Sequence, residues 1–455
     1  MFSCSLARTA ALRAAPLLAR PNSRCLLRRI ATGTQAADTR KLPLAGVRVL
    51  DMSRVLAGQR SSKLNTPSEV TIPVPGAHPL QLIRTVELAM VKVHITFRYV
   101  SSQSVSSEQQ NSEQPTELRQ VNRNKKSLGL SFAHPEGVEI LHQLARDCDV
   151  VVENYLPGSL KKYNLDYESL RQINPRLIYT SITGYGQTGP YSNRPGFDVM
   201  VEAEFGLMHL TGTRDGPPVK VGVAVTDLTT GLYACNSIMA ALIARATNGE
   251  GQHLDVCLSD CQVATLANMG ESVLISGKKD SGRWGTAHPS VVPYQAFKTS
   301  DTDIFVGGAN DRLFGILCDK LGKPEWKTDS RFATNSDRVN NREDLEPLIE
   351  GELMKETTGV WQNRFEGSGL PFAVVNDIQG TMNHEHVIAR GMVQSIDHPA
   401  CGSIKVISPP VKYSNAEPSI RSPPPLLGEH TEELLKDIGL DTVRIEELKK
   451  KGVVA

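Results

Sequence analysis

Short apolar runs alternating with helix-length stretches constrain the fold of this chain more than any other feature. Val47-Arg-Val-Leu-Asp-Met-Ser53, Asp149-Val-Val-Val-Glu-Asn154 and Leu177-Ile-Tyr-Thr-Ser-Ile-Thr183 have the length and composition of buried strands. Helical patterns run from His134 to Cys148 and from Ser159 to Asn174, before and after the second of these runs. Strands spaced by helices in this way form βαβ units, so the N-terminal half is expected to be an α/β domain whose parallel sheet is covered on both faces. A helix is expected over 228–247, stopped by Asn248-Gly249, with a strand from Gly251 to Leu258. Residues 270–385 mix short strands with polar helices and are expected to form a smaller α+β domain. Strand-like sequence returns from Val393 in a C-terminal segment, 393–453, that ends in a helix with Thr431 as N-cap and Gly439 as stop.

Charge excludes some functions. The chain carries 50 Lys+Arg against 49 Asp+Glu, a formal net charge of +1, which gives no global field for nucleic acid or an anionic membrane. Arginine is distributed unevenly, however: Arg8, Arg13, Arg20, Arg24, Arg28 and Arg29 all precede Asp38, the first acid. An Arg-rich, acid-free stretch of Ala, Leu and Ser has the composition of a mitochondrial transit peptide, so residues 1–37 are expected to direct the chain to the matrix. Of eight cysteines, Cys257 and Cys261 form a CxxxC with no second Cys/His pair nearby, so no metal site is expected.

Two carboxylates are candidates for chemistry. Asp227 closes Val221-Gly-Val-Ala-Val-Thr-Asp227 where an extended segment meets the expected helix, and a helix N-terminus favours an anion. An ordinary N-cap accounts for the same spacing. Asp198, in Arg194-Pro-Gly-Phe-Asp198, reads as a turn residue. The glycine-rich loops at 184–189 and 307–308 lack the G-x-G-x-x-G spacing of a dinucleotide site. Asn122-Arg-Asn-Lys-Lys-Ser127 gathers three cations that suit phosphates or simply a solvated turn. His288 stands alone, as surface or capping histidines do.

Taken together and in order, several motifs make a specific signal. They are Val47-Arg-Val-Leu-Asp-Met-Ser-Arg-Val-Leu-Ala-Gly58, Asn122-Arg-Asn-Lys-Lys-Ser127, Val152-Glu-Asn-Tyr-Leu-Pro-Gly158, Arg194-Pro-Gly-Phe-Asp198 with Gly206-Leu-Met208, Asp215-Gly-Pro-Pro218 and Leu427-Gly-Glu-His-Thr431. By these the chain resembles the class III CoA-transferases over roughly 42–58 and 121–453. The resemblance implies an interlocked homodimer whose subunits each have a Rossmann-like large domain, 42–262, completed by the C-terminal segment. It also implies transfer of CoA from a dicarboxyl-CoA such as succinyl-CoA to a dicarboxylic acid such as glutarate or hydroxymethylglutarate. The family nucleophile falls on Asp227. CoA contacts fall on Arg54, Leu56, Ala57, Lys125, Leu130, Asn154, Tyr155 and Lys162, and the mobile active-site loop on Gly285 to His288. No metal or redox cofactor is required, the CoA thioester being a substrate. Racemases of the same superfamily carry a His where Phe197 stands, and phenylalanine cannot hold a proton.

One stretch departs from the family pattern. Residues 59–120 replace the helix and second strand expected after Gly58, and the run from Ser101 to Gln120 is Ser/Gln/Glu-rich. Only Val91-Lys-Val-His-Ile-Thr-Phe97 reads as a strand, a partial substitute at best. A sheet that lost this strand would expose an edge, so the alternative is an inactive variant that only pairs with a normal subunit.

Overall fold

The computed structural model describes residues 43–53, 89–95 (backbone only) and 122–455. The expected transit peptide, the CoA contacts Arg54, Leu56 and Ala57, and most of the 59–120 stretch lie outside the described residues.

Six strands form one sheet: β1 (Arg48–Asp51), β2 (Ala89–Ile95), β3 (Lys125–Leu130), β4 (Val150–Glu153), β5 (Ile178–Thr183) and β6 (Gln252–Cys257). Their order is β3-β2-β1-β4-β5-β6 and every neighbouring pair is parallel. This is the doubly wound Rossmann order, in which the chain reverses direction between β1 and β4 and leaves a crevice beyond their C-terminal ends. The expectation of a missing strand is corrected here. Strand β2 lies between β1 and β3, with Arg48 opposite Ala89 and Met90 opposite Lys125. A stretch that departs from the family pattern still supplies a β-branched segment of the right length, and backbone pairing depends little on side-chain identity.

Consecutive side chains on β1 and β4 serve opposite faces of the sheet, which is why these strands are apolar throughout. On one face Leu50, Val151 and Leu128 pack with Ile140, Leu141 and Leu144 of α1 (Pro135–Asp147) and Leu170 of α2 (Tyr167–Ile173). On the other, Val49, Val150, Val152, Ile178 and Ile182 pack with Val201 of α3 (Asp198–Glu204), with Ala234, Ile238 and Ala241 of α4 (Val225–Asn248), and with Leu258 of α5 (Leu258–Thr265). Helix α6 (Ala267–Ser276) follows α5. Burying about a dozen such side chains per face, at roughly 1.5–3 kcal/mol each, supplies the main drive for this layer. The expected helix over 159–174 is interrupted: Asn164 adopts φ +53 after the single turn Lys161–Tyr163, and α2 starts at Tyr167.

A second sheet, antiparallel, joins β7 (Tyr294–Lys298), β8 (Asp303–Gly307) and β9 (Phe372–Val374). It shares a hydrophobic core of its own, including Phe297, Phe314, Leu317, Leu345 and Trp361, with α7 (Asp311–Leu321), α8 (Arg342–Leu353) and α9 (Thr358–Phe365). A hairpin, β10 (Val393–His398) with β11 (Gly402–Ile407), leads into the C-terminal segment.

That segment completes the first sheet. Helices α10 (Thr431–Asp437) and α11 (Thr442–Lys450) bury Leu434, Leu435, Ile445 and Leu448 against the α1 face. Beyond them Val454 bridges Leu130, while Ser131 N–H donates to Val453 O at 2.8 Å and Ala455 N–H to Gly129 O at 3.0 Å. The edge of β3 is thereby closed. Thr431 does not cap α10, as the sequence suggests; the cap position is His430. The Thr431 hydroxyl accepts Gly129 N–H at 3.0 Å and donates to Gly428 O, so it is spent on holding the sheet edge.

Candidate active site

Helix α4 begins three residues earlier than its sequence predicts, so Asp227 is not a cap but the third residue of the first turn. The capping role falls to another chain segment. Asp198, 7 % exposed at the start of α3, accepts Asp227 N–H on Oδ1 at 3.0 Å. Its position depends on two glycines: a Cβ on Gly184, just after β5, would lie 2.7 Å from Gly196 Cα, so only glycines let the Gly196-Phe197-Asp198 turn sit against the strand end. Glu202, one turn further along α3, is 0 % exposed and accepts Val221 N–H on Oε2 at 3.2 Å. Three carboxyl groups therefore gather at one helix N-terminus, a grouping not apparent in the sequence. The spacing of Asp198 and Glu202, four residues apart and so on one helix face, was the available signal.

The electrostatics reverse the expectation of a stabilised anion. Burial, followed by the charges of Asp198 and Glu202, pushes the Asp227 carboxyl up to about 8. Burial likewise raises Asp198 and Glu202, against the N–H groups of Asp227 and Thr226 at Asp198 and of Val221 at Glu202. A helix terminus contributes the equivalent of half a charge, and here it is shared among three acids. Asp227 is thus a proton-binding carboxyl near neutral pH and, once ionised, an unusually basic one.

The expected CoA contacts that lie among the described residues are not all at one end of the sheet: Lys125 opens β3 and Leu130 closes it. Asn154 and Tyr155 follow β4 directly, beside the crevice where the sheet reverses. Tyr155 N–H donates to Glu153 Oε2 at 2.7 Å, and its ring meets Phe132 edge-on at 6.0 Å. Lys162 is exposed with its ammonium 4.7 Å from the Tyr163 ring centre. Leu130 is a core side chain, 1 % exposed, whose backbone pairs with the C-terminus. Lys125 points inward, its Nζ 3.1 Å from Asp51 Oδ2. The basic cluster around it is therefore divided, since Lys126 reaches outward to Glu433 at 2.6 Å.

The Gly285 to His288 loop is fixed at both ends. Gly285, at φ +59, donates its N–H to Gly212 O at 2.9 Å. His288 Nδ1 accepts Ser290 N–H at 3.1 Å and its carbonyl accepts from Arg342 at 3.1 Å. Among the described residues this loop is tied, through Gly285, to the segment that leads from α3 towards α4 rather than to Asp227 itself. Phe197, beside Asp198, is 42 % exposed and presents no titratable group. Among the described residues no group of His, Cys, Asp or Glu is arranged to hold a metal ion, and no helix is long and apolar enough to cross a membrane.

Comparison with known proteins places this geometry. The model of CoA-transferase family III matches residues 96–431. A succinyl-CoA:glutarate CoA-transferase from Mus musculus is 41 % identical over 93 % of the chain and 93 % of its own length, and a succinate–glutarate CoA-transferase from Agrobacterium fabrum is 36 % identical over 88 % and 96 %. A solved CAIB/BAIF family protein from Brucella suis superposes with a TM-score of 0.72 at 35 % identity, covering 88 % of this chain and all of that one. The chain belongs to CoA-transferase family III.

Proposed function

We propose that this protein transfers CoA from succinyl-CoA to glutarate, with Asp227 as the nucleophile. The observation that carries the reading is the Asp227 carboxyl, half-buried in the first turn of α4 and raised in basicity, in a chain whose relatives are named for this exchange. An ionised Asp227 oxygen attacks the thioester carbonyl, the C–S bond breaks, and CoA leaves as thiolate, giving a mixed anhydride. The thiolate attacks the aspartyl carbonyl of that anhydride and releases succinate, leaving CoA on Asp227 as a thioester. Glutarate repeats the two steps in reverse and leaves as glutaryl-CoA, with Asp227 regenerated. Acyl-transfer potential is kept in covalent form throughout, so the balance needs no metal or redox cofactor. Water would discharge either intermediate, and the Gly285 to His288 loop is suited to cover them, with backbone N–H groups meeting the oxyanion.

CoA is assigned to the crevice between β1 and β4, with Asn154 and Tyr155 at its wall, Lys162 as a surface cation, Lys125 and Leu130 supporting the sheet beneath, and Arg54, Leu56 and Ala57 continuing from β1. Homodimerisation is supported by exposed apolar side chains on α4 and α6: Ile243 (72 %), Leu274 (84 %) and Ile275 (87 %). The Arg-rich start of the chain supports a matrix location. The continuous sheet favours the enzyme over the inactive-variant reading, because β2 is in its place.

The test is direct. Purified protein incubated with succinyl-CoA and glutarate should form glutaryl-CoA, and hydroxylamine should trap an acyl or CoA adduct on Asp227. Folded protein that forms neither product nor adduct refutes the reading.

A further inference from the structure

A different carboxyl stands behind the proposed nucleophile, and the exchange as written gives it no task. Glu202 is wholly buried, yet it is an acid, and its surroundings do little to neutralise it. Its Oε2 accepts one backbone N–H, from Val221, and its carboxyl lies against that of Asp198, a side-chain contact that favours a proton on Glu202 and the ionised form of Asp198. The groups that face it can be named element by element. Its own helix α3 supplies Asp198, α4 supplies Asp227, and the segment before α4 supplies Lys220, an exposed residue and the one cation acting on it among the described residues. Helix α5, packed on the same side, turns an uncharged amide, Gln262, towards Thr226, and its Cys261 thiol is kept neutral by burial. Burial of an acid with so little compensation is costly, and a leucine or glutamine would fill the space at less expense.

Glu202 reaches the reacting group by two routes. Through Val221 it fixes the extended segment six residues ahead of Asp227. Through Asp198, which holds Asp227's own N–H, it puts a second carboxyl behind the helix turn that presents the Asp227 oxygen. We propose that Glu202 is a positioning residue for acyl transfer: buried behind Asp198 and fastened to the Val221 segment, it sets how the first turn of α4 presents the Asp227 oxygen and how basic that oxygen is when it attacks. The balance is between two opposed effects. A more basic oxygen is the better nucleophile, but a smaller fraction of it is ionised at a given pH. Like-charge neighbours are the general means of shifting that compromise. The inference rests on Asp227 being the reacting carboxyl.

Two readouts on the full-length protein keep the two ideas separable. Infrared difference spectroscopy across a pH titration follows protonated carboxyl groups without any turnover. A band that disappears as pH rises past neutrality is expected in the parent protein and absent in Asp227→Asn; persistence of that band in Asp227→Asn would overturn the inference. In Glu202→Gln its midpoint should fall by about one pH unit, and the acidic limb of kcat/KM for succinyl-CoA with glutarate should move down with it while the plateau of kcat drops. A buried side chain that merely fills space would move neither. Should Glu202→Gln not fold, Glu202→Asp withdraws the charge by one methylene and is expected to shift both in the same sense by less. A folded Glu202 variant whose infrared midpoint stays in place overturns the inference, whatever the activity. Undiminished turnover in Asp227→Asn would instead remove the nucleophile reading.

Discussion

A buried aspartate and a half-buried one in the same α/β layer have opposite surroundings. Asp51, 0 % exposed at the end of β1, receives Ser53 N–H at 3.0 Å and the Ser53 hydroxyl on one oxygen, and Lys125 Nζ at 3.1 Å on the other. Asp227 instead has Asp198 and Glu202 as its charged neighbours, and their charges act to keep it protonated. Donors and a cation around Asp51 make its ionised form part of the sheet's architecture. Around Asp227 the chain has left an acid without a counter-charge, the kind of environment expected of the nucleophile proposed above. The pair teaches that burial alone does not single out a candidate functional acid; the absence of a counter-charge separates Asp227 from Asp51.

The largest effect expected is the loss of function in Asp227→Asn: glutaryl-CoA formation should fall by at least about 10³-fold with the fold kept, as checked by circular dichroism and a product assay. Next, Lys125→Met should destabilise the protein by roughly 3–5 kcal/mol, because it takes the ammonium from a buried carboxylate, and Asp51→Asn in the same chain should recover part of that. Denaturant midpoints measure both. A neutral result for Lys125→Met would break the contrast, since Asp51 would then be no better compensated than Asp227.

The pH dependence of stability sharpens the same contrast. The Asp227 carboxyl is raised from 3.8 to about 8 in the folded state, so between those values the folded chain binds the proton more tightly than the unfolded one. Its contribution is therefore full below about pH 4 and is lost as pH rises towards 8. Thermal melts of Asp227→Asn should flatten that decline and be more stable than the parent at pH 8, by about 2 kcal/mol. Gly184→Ala should cost roughly 1–3 kcal/mol through the contact with Gly196, and lower kcat as Asp198 is displaced. The smallest effect falls on the solvent-screened cation: Lys162→Ala should raise KM for succinyl-CoA about 3- to 5-fold and leave kcat nearly unchanged, read from initial rates.

Much of this architecture is legible in the residues. The apolar runs at 47–53, 149–154 and 177–183 place β1, β4 and β5 to within a residue or two, because a strand buried on both faces must be apolar throughout. The helix 134–148 and the stop at Asn248-Gly249 are as plain, the latter because Gly249 adopts φ +82 where a side chain would be strained. Less legible were β2, embedded in a sequence that departs from the family pattern, and the start of α4, whose first turn is capped by Asp198 from 29 residues away rather than by a neighbour. Thr431 looked like a cap for the same reason in reverse: local spacing cannot reveal that its hydroxyl is occupied by Gly129 across the sheet edge.

By itself the sequence determined the layer order and the family, since hydrophobic periodicity and ordered motifs are properties of neighbouring residues and need no distant partner. It also drew attention to Asp227, through the meeting of an extended run and a helix. Only the tertiary structure decided what kind of acid Asp227 is. Whether a carboxyl is charged depends on what lies within a few ångströms of it in space, and here that is Asp198 and Glu202, brought in by a separate helix, while Lys125 of the basic cluster is paired with Asp51 in the sheet.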